Sequence, residues 1–210
     1  MENVHVIDHP LIQDIIARMR DKNTAPALFH ELVKEVAILE AYEALRDIPT
    51  KSIEVETPLE KTEQHVIDEN NICLVPILRA GLGMAEGVSI LLPGAPVGHI
   101  GLKRDEVTHL THEYYANFPK RIADMDVLLL DPMLATGGSA VDAITRLKER
   151  GVKSIRFLCI IAVPEGVKVV QEKFPDVPIY IGALDRELNS NAYILPGLGD
   201  AGDRIFGTID

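Results

Sequence analysis

The chain has 210 residues, a length that fits one domain and can bury a core without disulfides or metal. Hydrophobic residues make up 47% and charged residues 25%, which excludes collagen-like, coiled-coil and low-complexity classes. The formal net charge of −11 disfavours a dedicated nucleic-acid-binding protein, because a polyanion would be repelled on average.

Cysteine usage and hydropathy give no sign of an exported or membrane protein. Cys73 and Cys159 each lie inside an apolar run, so we predict two buried reduced thiols rather than a disulfide or a catalytic thiolate. The amino terminus lacks a basic segment followed by an apolar one, and no apolar run approaches the ~18 residues of a membrane span. We therefore expect a cytoplasmic protein with no membrane partner.

The amino-terminal part of the chain, residues 1–50, predicts a helical arm. Apolar residues recur with helical spacing behind Asp8, which we predict to be the N-cap of a first helix. A second helix is predicted after Thr24, and the alternation in residues 52–57 predicts a half-buried strand.

Beyond residue 70, short and solidly apolar runs alternate with helical stretches. Runs of this kind are typical of strands buried on both faces of a parallel sheet. They cover residues 72–78, 95–102, 127–130, 155–163 and 178–182. A helix follows residue 138 and ends at Gly151. We therefore predict an α/β fold, with a mainly parallel central sheet flanked by helices, in one domain over residues 1–210.

The most informative segment is VLLLDPMLATGGSA, residues 127–140, in which a strand is followed by an acid, a Thr-Gly-Gly-Ser loop and a helix. Ligands of parallel sheets bind beyond the carboxyl ends of the strands. Gly137 and Gly138 would let the backbone approach a ligand closely. The amides of residues 136–139 would lie at a helix amino terminus, which favours a phosphate. Asp131 is placed to accept hydrogen bonds from sugar hydroxyls.

A plain structural explanation of the same loop stays open, namely a strand-to-helix turn capped by Ser139. The dinucleotide fingerprint G-x-G-x-x-G and the P-loop G-x-x-x-x-G-K-[ST] are both absent. The preceding strand, the acid and the following helix together favour a phosphate site of another kind.

An apolar strand, an acid and Thr-Gly-Gly resemble the signature of phosphoribosyltransferases that use 5-phosphoribosyl 1-pyrophosphate (PRPP). Most members carry two adjacent acids, whereas Asp131 is followed here by Pro132, and this departure is similar to the uracil phosphoribosyltransferase branch. Three further segments resemble the same branch. They are PILRAGLGM (76–84), GLKRDE (101–106) and YILPGLGDAGDRIFGT (193–208). The resemblance covers most of the chain from about residue 70 onward.

The resemblance implies a PRPP site with Arg79, Arg104, Asp131 and Asp200 at the reacting centre. The two arginines match positions that bind the pyrophosphate end, a task suited to the guanidinium fork. Taken alone, Arg79 could equally pair with a surface carboxylate, and Arg104 could belong to a solvated basic pair. The positions implied to contact PRPP are Arg79, Arg104, Asp131, Pro132, Met133, Leu134, Ala135, Thr136, Gly137, Gly138, Ser139 and Asp200.

The same resemblance implies that the carboxyl-terminal region, residues 183–210, binds the base. Ile194 and the backbone of Gly199, Asp200 and Ala201 match the uracil-binding positions. Asp200 also matches a contact to the ribose substrate with its magnesium. Fixed backbone groups can separate uracil from cytosine, because unpaired buried donors discriminate by ~10⁴-fold. The plain alternative is a glycine-rich closing loop stabilised by Asp turns.

The implied reaction joins uracil to the phosphoribosyl group of PRPP, giving UMP and pyrophosphate in pyrimidine salvage. Mg²⁺ is the expected cofactor, held mainly through substrate phosphates rather than by a protein cage. The segment after Arg104 resembles a flexible loop that closes over the reacting centre and excludes water. The family also implies a homo-oligomer, and GTP activation in some members. The alternatives are a transferase for another base and a non-catalytic regulator with the same fold.

Overall fold

The computed structural model describes residues 3–104 and 111–208. The helices are α1 (Pro10–Arg20), α2 (Pro26–Ala44), α3 (Gly81–Leu91), α4 (Gly138–Glu149), α5 (Pro164–Lys173) and α6 (Ala201–Phe206). The strands are β1 (Val4–Val6), β2 (Thr50–Glu56), β3 (Lys61–Ile67), β4 (Ile72–Leu78), β5 (His99–Arg104), β6 (Thr111–Asn117), β7 (Asp126–Leu130), β8 (Met133–Leu134), β9 (Ser154–Ala162), β10 (Ile179–Leu184), β11 (Glu187–Leu188) and β12 (Ile194–Leu195).

An eight-stranded sheet forms the centre of the fold, in the order β1-β10-β9-β7-β4-β5-β6, with β8 pairing to β9. Along this sheet order every pair from β1 across to β5 is parallel, whereas β5 and β6 form an antiparallel hairpin. This arrangement confirms the predicted α/β class with a mainly parallel sheet. It also shows that part of the polar segment after Gly101 is a hairpin, although residues 105–110 at its tip lie outside the described chain.

Two apolar clusters cover the two faces of the sheet, as the solidly apolar strands require. Along β4, Leu74 packs into the cluster that contains α1, α2 and α3, while Cys73 and Val75 pack into the cluster with α4 and α5. Cys73 and Cys159 are both buried and free, as predicted. The helices therefore lie on both faces of the sheet and leave the ends of its strands uncovered.

Three details differ from the sequence-based expectations. Strand β2, which was predicted to be half-buried, is exposed along most of its length. Residues 4–6 of the predicted arm form β1 at the edge of the central sheet, paired with β10. The N-cap of α1 is His9, whose ring accepts a hydrogen bond from the Leu11 amide, so the prediction of Asp8 is wrong. Asp8 instead accepts from the Gln13 side chain at 2.5 Å.

The carboxyl ends of four parallel strands bring distant segments to one edge of the sheet. Arg79 directly follows β4, Asp131 follows β7, and Asp185 follows β10. The short strand β8 continues past the end of β7 and pairs with the end of β9. Within residues 3–104 and 111–208, no helix is long and apolar enough to cross a membrane.

One fully buried carboxyl group lies on α2, against strand β10. Glu40 on α2 is fully buried, and neither of its oxygens has a hydrogen-bond partner among the described residues. It fits against Gly182, where a Cβ would lie 2.9 Å from Glu40 Oε1. Burial raises the pKa of Glu40 well above its ordinary value.

This burial predicts a pH-dependent stability. Below the unfolded-state pKa both states hold the proton; above it the folded state is penalised, because it must keep the proton or bury a charge. We therefore expect Glu40→Gln to melt progressively higher than the wild type as the pH rises from about 4.5. Thermal melts of both proteins between pH 4 and pH 8 measure the difference. A constant difference across that range would contradict the assignment.

Candidate active site

The loop after β7 presents the amino terminus of α4 without a side-chain cap. The N-cap is Gly137, at φ 83°, and no side chain accepts a hydrogen bond there. Ser139 lies inside the helix and is exposed, so a turn capped by Ser139 is not what the structure contains. Because the first amides of a helix need acceptors, this end of α4 suits an anion.

The two loop glycines serve different purposes. Gly137 has a positive φ, and a Cβ on it would lie 3.0 Å from the carbonyl oxygen of Gly166 on α5. At Gly138 a Cβ would meet only the Thr136 hydroxyl, at 3.7 Å. Gly137 is therefore required by the fold, whereas Gly138 leaves open space beside the helix amino terminus.

Backbone hydrogen bonds from the end of β9 hold the loop after β7 in place. The Ile161 amide donates to the Pro132 carbonyl oxygen at 3.0 Å, and the Val163 amide donates to that of Leu134 at 3.2 Å. Pro132 and Leu134 are buried, while Thr136 and Ser139 are exposed with Gly138. The predicted PRPP segment thus divides into a buried part that anchors the loop and an exposed part that is free to meet a ligand.

Asp131 stands at the tip of β7, where its amide donates to the Leu158 carbonyl oxygen at 3.2 Å. Burial raises the pKa of the Asp131 carboxyl to about 7, and a hydrogen bond from the Met133 backbone offsets part of that increase. A carboxyl group that changes charge near neutral pH is typical of a ligand-binding or catalytic position.

A cavity of about 240 Å³ brings two of the predicted segments together. On one side lie Asp131, Met133 and Ala135 of the phosphate loop. The other residues that line it are Ile194, Gly199, Asp200 and Ala201, all predicted for uracil, and Ala80, Ala192, Tyr193 and Gly202, which the sequence analysis did not single out. Sixty residues of chain separate the two sides, and the fold places them across one cleft.

The loop predicted to bind the base is built on backbone conformations that favour glycine. Gly197 and Gly199 have φ values of 63° and 80°, and a Cβ on Gly197 would lie 2.2 Å from the Ile194 carbonyl oxygen. Asp200 caps α6 by accepting from the Asp203 amide at 2.9 Å. The predicted closing loop therefore ends in a short helix whose capping carboxylate also lines the cavity.

Of the two predicted arginines, Arg79 has a described side chain. Arg79 is exposed; its guanidinium lies 3.6 Å from Asp203 Oδ1 and 5.6 Å from the centre of the Phe206 ring. It therefore stands beside α6, at the mouth of the cleft. Arg104 is the last residue of β5, and its side chain lies outside the described part of the chain.

The carboxylates of the cleft suit a magnesium ion that shares its coordination with a substrate. Asp131 and Asp200 both line the cavity. In the described ranges no group of three or more His, Cys, Asp or Glu side chains could hold a metal ion by itself. Two hard oxygen donors beside an anion-binding helix terminus fit Mg²⁺, which keeps waters and phosphate oxygens as its other ligands.

Comparison with solved structures defines the class of fold. A hypoxanthine-guanine phosphoribosyltransferase from Bacillus anthracis superposes with a TM-score of 0.53 at 15% identity, over 76% of this chain and 80% of that one. A protein from Aquifex aeolicus superposes with a TM-score of 0.91 at 39% identity, over 97% of both chains. The sheet order and the loop after β7 therefore belong to the phosphoribosyltransferase fold.

Sequence comparison defines the family within that class. The family description "Uracil phosphoribosyltransferase" matches residues 6–208. A uracil phosphoribosyltransferase from Bacillus cereus is 56% identical over 208 residues, which are 99% of this chain and all of the relative. The chain belongs to the uracil phosphoribosyltransferase family.

The raised pKa of Asp131 makes a prediction about stability. The unfolded carboxyl ionises near pH 4, but the folded one keeps its proton until about pH 7, so folding stability falls as the pH rises through that interval. We expect Asp131→Asn to melt about 3–6 °C higher relative to wild type at pH 8 than at pH 5. Melts of both proteins at the two pH values measure this change, and an equal difference at both would show that the carboxyl is ionised throughout.

Proposed function

We propose that this protein transfers the phosphoribosyl group of PRPP to uracil, forming UMP and releasing pyrophosphate. The observation that carries the proposal is the cleft in which Asp131, Met133 and Ala135 face Ile194 and residues 199–202, with the uncapped amino terminus of α4 following Ala135 in the chain. A phosphate site and a pocket formed largely by backbone are what the two substrates require. Membership of the uracil phosphoribosyltransferase family supports the choice of base.

The phosphate end of PRPP fits the helix terminus. The amides of residues 136–139 would bind the 5′-phosphate, with hydroxyl donors from Thr136 and Ser139. The open space beside Gly138 is where a phosphate oxygen would approach the backbone. Arg79 and Arg104 would hold the pyrophosphate, and Arg79 would leave its weak partner Asp203 for the stronger charge.

The reaction breaks the bond from ribose C1 to pyrophosphate and forms one from C1 to N1 of uracil. Charge develops on the ribose ring, as in other glycosyl transfers. Asp131, once ionised, accepts hydrogen bonds from the ribose hydroxyls and holds C1 in line with the base. Magnesium, bound with Asp131 and Asp200, would neutralise charge on the leaving pyrophosphate. The segment after Arg104 would exclude water from the activated ring.

Further properties follow from the family rather than from the described geometry. We propose a homo-oligomer in the cytoplasm that acts in pyrimidine salvage, with GTP as a possible activator and no nucleic-acid partner. A transferase for another base keeps the phosphate loop but needs a different Ile194–Ala201 loop. A non-catalytic regulator would bind PRPP without turnover.

The decisive experiment is UMP formation from uracil, PRPP and magnesium, with cytosine, hypoxanthine and orotate assayed in parallel. We expect turnover with uracil alone. Turnover with another base would keep the phosphate site and overturn the base assignment. PRPP binding without turnover of any base would favour the regulator.

The phosphate site makes a separate prediction. Gly138→Ala should keep the wild-type melting temperature, because its Cβ meets nothing closer than 3.7 Å, yet it should weaken PRPP binding about tenfold or more by occupying the phosphate approach. Isothermal titration with PRPP and magnesium measures the loss. Gly166→Ala is the contrasting variant for stability, because its Cβ would clash with the Ala135 carbonyl oxygen and should lower the melting temperature. Unchanged PRPP affinity in Gly138→Ala would remove this glycine from the site.

A further inference from the structure

An ion pair joins the end of the amino-terminal helix to the sheet edge that carries the cleft. Arg20 is the last residue of α1, and Asp185 is the first residue after β10. The Arg20 guanidinium donates to both carboxylate oxygens of Asp185, at 2.8 and 2.5 Å. The side chains are 25% and 5% exposed, so the pair is largely removed from water. Such a two-point contact has one geometry and is stronger than an exposed pair.

The same pair holds both polar groups of one residue in the base-binding loop. The Gly197 amide donates to Asp185 Oδ2 at 2.9 Å, and the Gly197 carbonyl oxygen accepts from Arg20 Nη1 at 2.8 Å. Gly197 has a positive φ and lies two residues before Gly199, which lines the cavity. A glycine-rich loop has much conformational freedom to lose, so these bonds select one arrangement.

A second arginine ties the next residue to the same helix end. Arg204 of α6 is buried and donates to the Leu198 carbonyl oxygen at 2.9 Å and to that of Met19 at 2.5 Å. It also donates to the Asp21 carbonyl oxygen at 2.7 Å and lies 4.2 Å from the centre of the Phe29 ring. The carbonyls of residues 197 and 198 are thus both held on the side of α1, while residues 199–201 line the cavity.

We propose that the Arg20–Asp185 ion pair is a positioning device for uracil, acting through Gly197 on the backbone that meets the base. The proposal rests on the proposed function for the identity of the base. A loop already held in its binding conformation binds with less loss of entropy than one that must be ordered by its ligand. Removing one partner leaves the other charge buried and releases the loop, so base affinity should suffer more than PRPP affinity.

The test compares this pair with one of similar burial at the opposite end of the sheet. Arg156 lies 3.2 Å from Asp126, with side chains 11% and 27% exposed, where β7 and β9 begin. The variants are Arg20→Met and Asp185→Asn, with Arg156→Met as the matched control. We expect KM for uracil to rise about tenfold in the first two, while KM for PRPP stays within about twofold and the control changes neither.

The conservative variant separates position from charge. Arg20→Lys keeps the charge but cannot donate along the same fork, so its KM for uracil should lie between those of the wild type and Arg20→Met. Equal rises in both KM values, or an unchanged KM for uracil, would reduce the ion pair to a structural role.

A second measurement does not depend on the identity of the base. Hydrogen exchange of residues 194–201 should be faster in Arg20→Met than in the wild type and unchanged in Arg156→Met. Unchanged exchange in Arg20→Met overturns the positioning role, whatever base the wild type uses. Faster exchange in Arg20→Met, together with a wild type that does not turn over uracil, would support the positioning role of the ion pair and reject the proposed function.

Discussion

The site depends on the first turn of α4, which begins without a side-chain cap. An uncapped helix terminus leaves backbone donors without acceptors, and folded proteins leave such groups unpaired only where water or a ligand can reach them. Gly137 makes this possible because its positive φ turns the chain into the helix, while Gly138 leaves the space beside the helix terminus open. The pairing of β8 with β9 then holds the loop rigidly from the other side. Backbone amides that are proposed to bind a phosphate need this rigidity, since they cannot adjust to a ligand as a long side chain can.

The carboxyl group of Asp131, which is partly buried and lines the cavity, shows a conflict between folding and ligand binding. A charge at this position is costly in the free protein, which is why the pKa of its carboxyl rises to about 7. The same position lies against the cavity, where ribose hydroxyls and a cation would stabilise the ionised form. Stability is thus reduced where a ligand is expected to restore it, a pattern common to binding sites.

The sequence predicts the local structure from β7 to α4 well, because the relevant contacts are local. The strand, Asp131, the two glycines and α4 follow one another within 127–140, so periodicity and loop chemistry are enough to place them. The cap of α1 was missed because Asp and His can both accept a hydrogen bond at a helix start, and only the turn of the chain decides between them. Strand β1 is not predicted because three residues are too few to show the alternation of a strand. Its pairing with β10 also joins residues from opposite ends of the chain.

The base-binding half could not be predicted in the same way, because its geometry is set by contacts between distant residues. Arg20 and Asp185 are 165 positions apart, and Arg204 reaches the Met19 carbonyl oxygen across 185. In the sequence Arg20 is one more basic residue in the last turn of a helix, where it also complements the helix dipole. Only the fold shows that its guanidinium meets the Gly197 backbone. The end of α1 therefore supports the loop that lines the cavity. A change in α1 would reach the base through two hydrogen-bonded arginines rather than through the sheet.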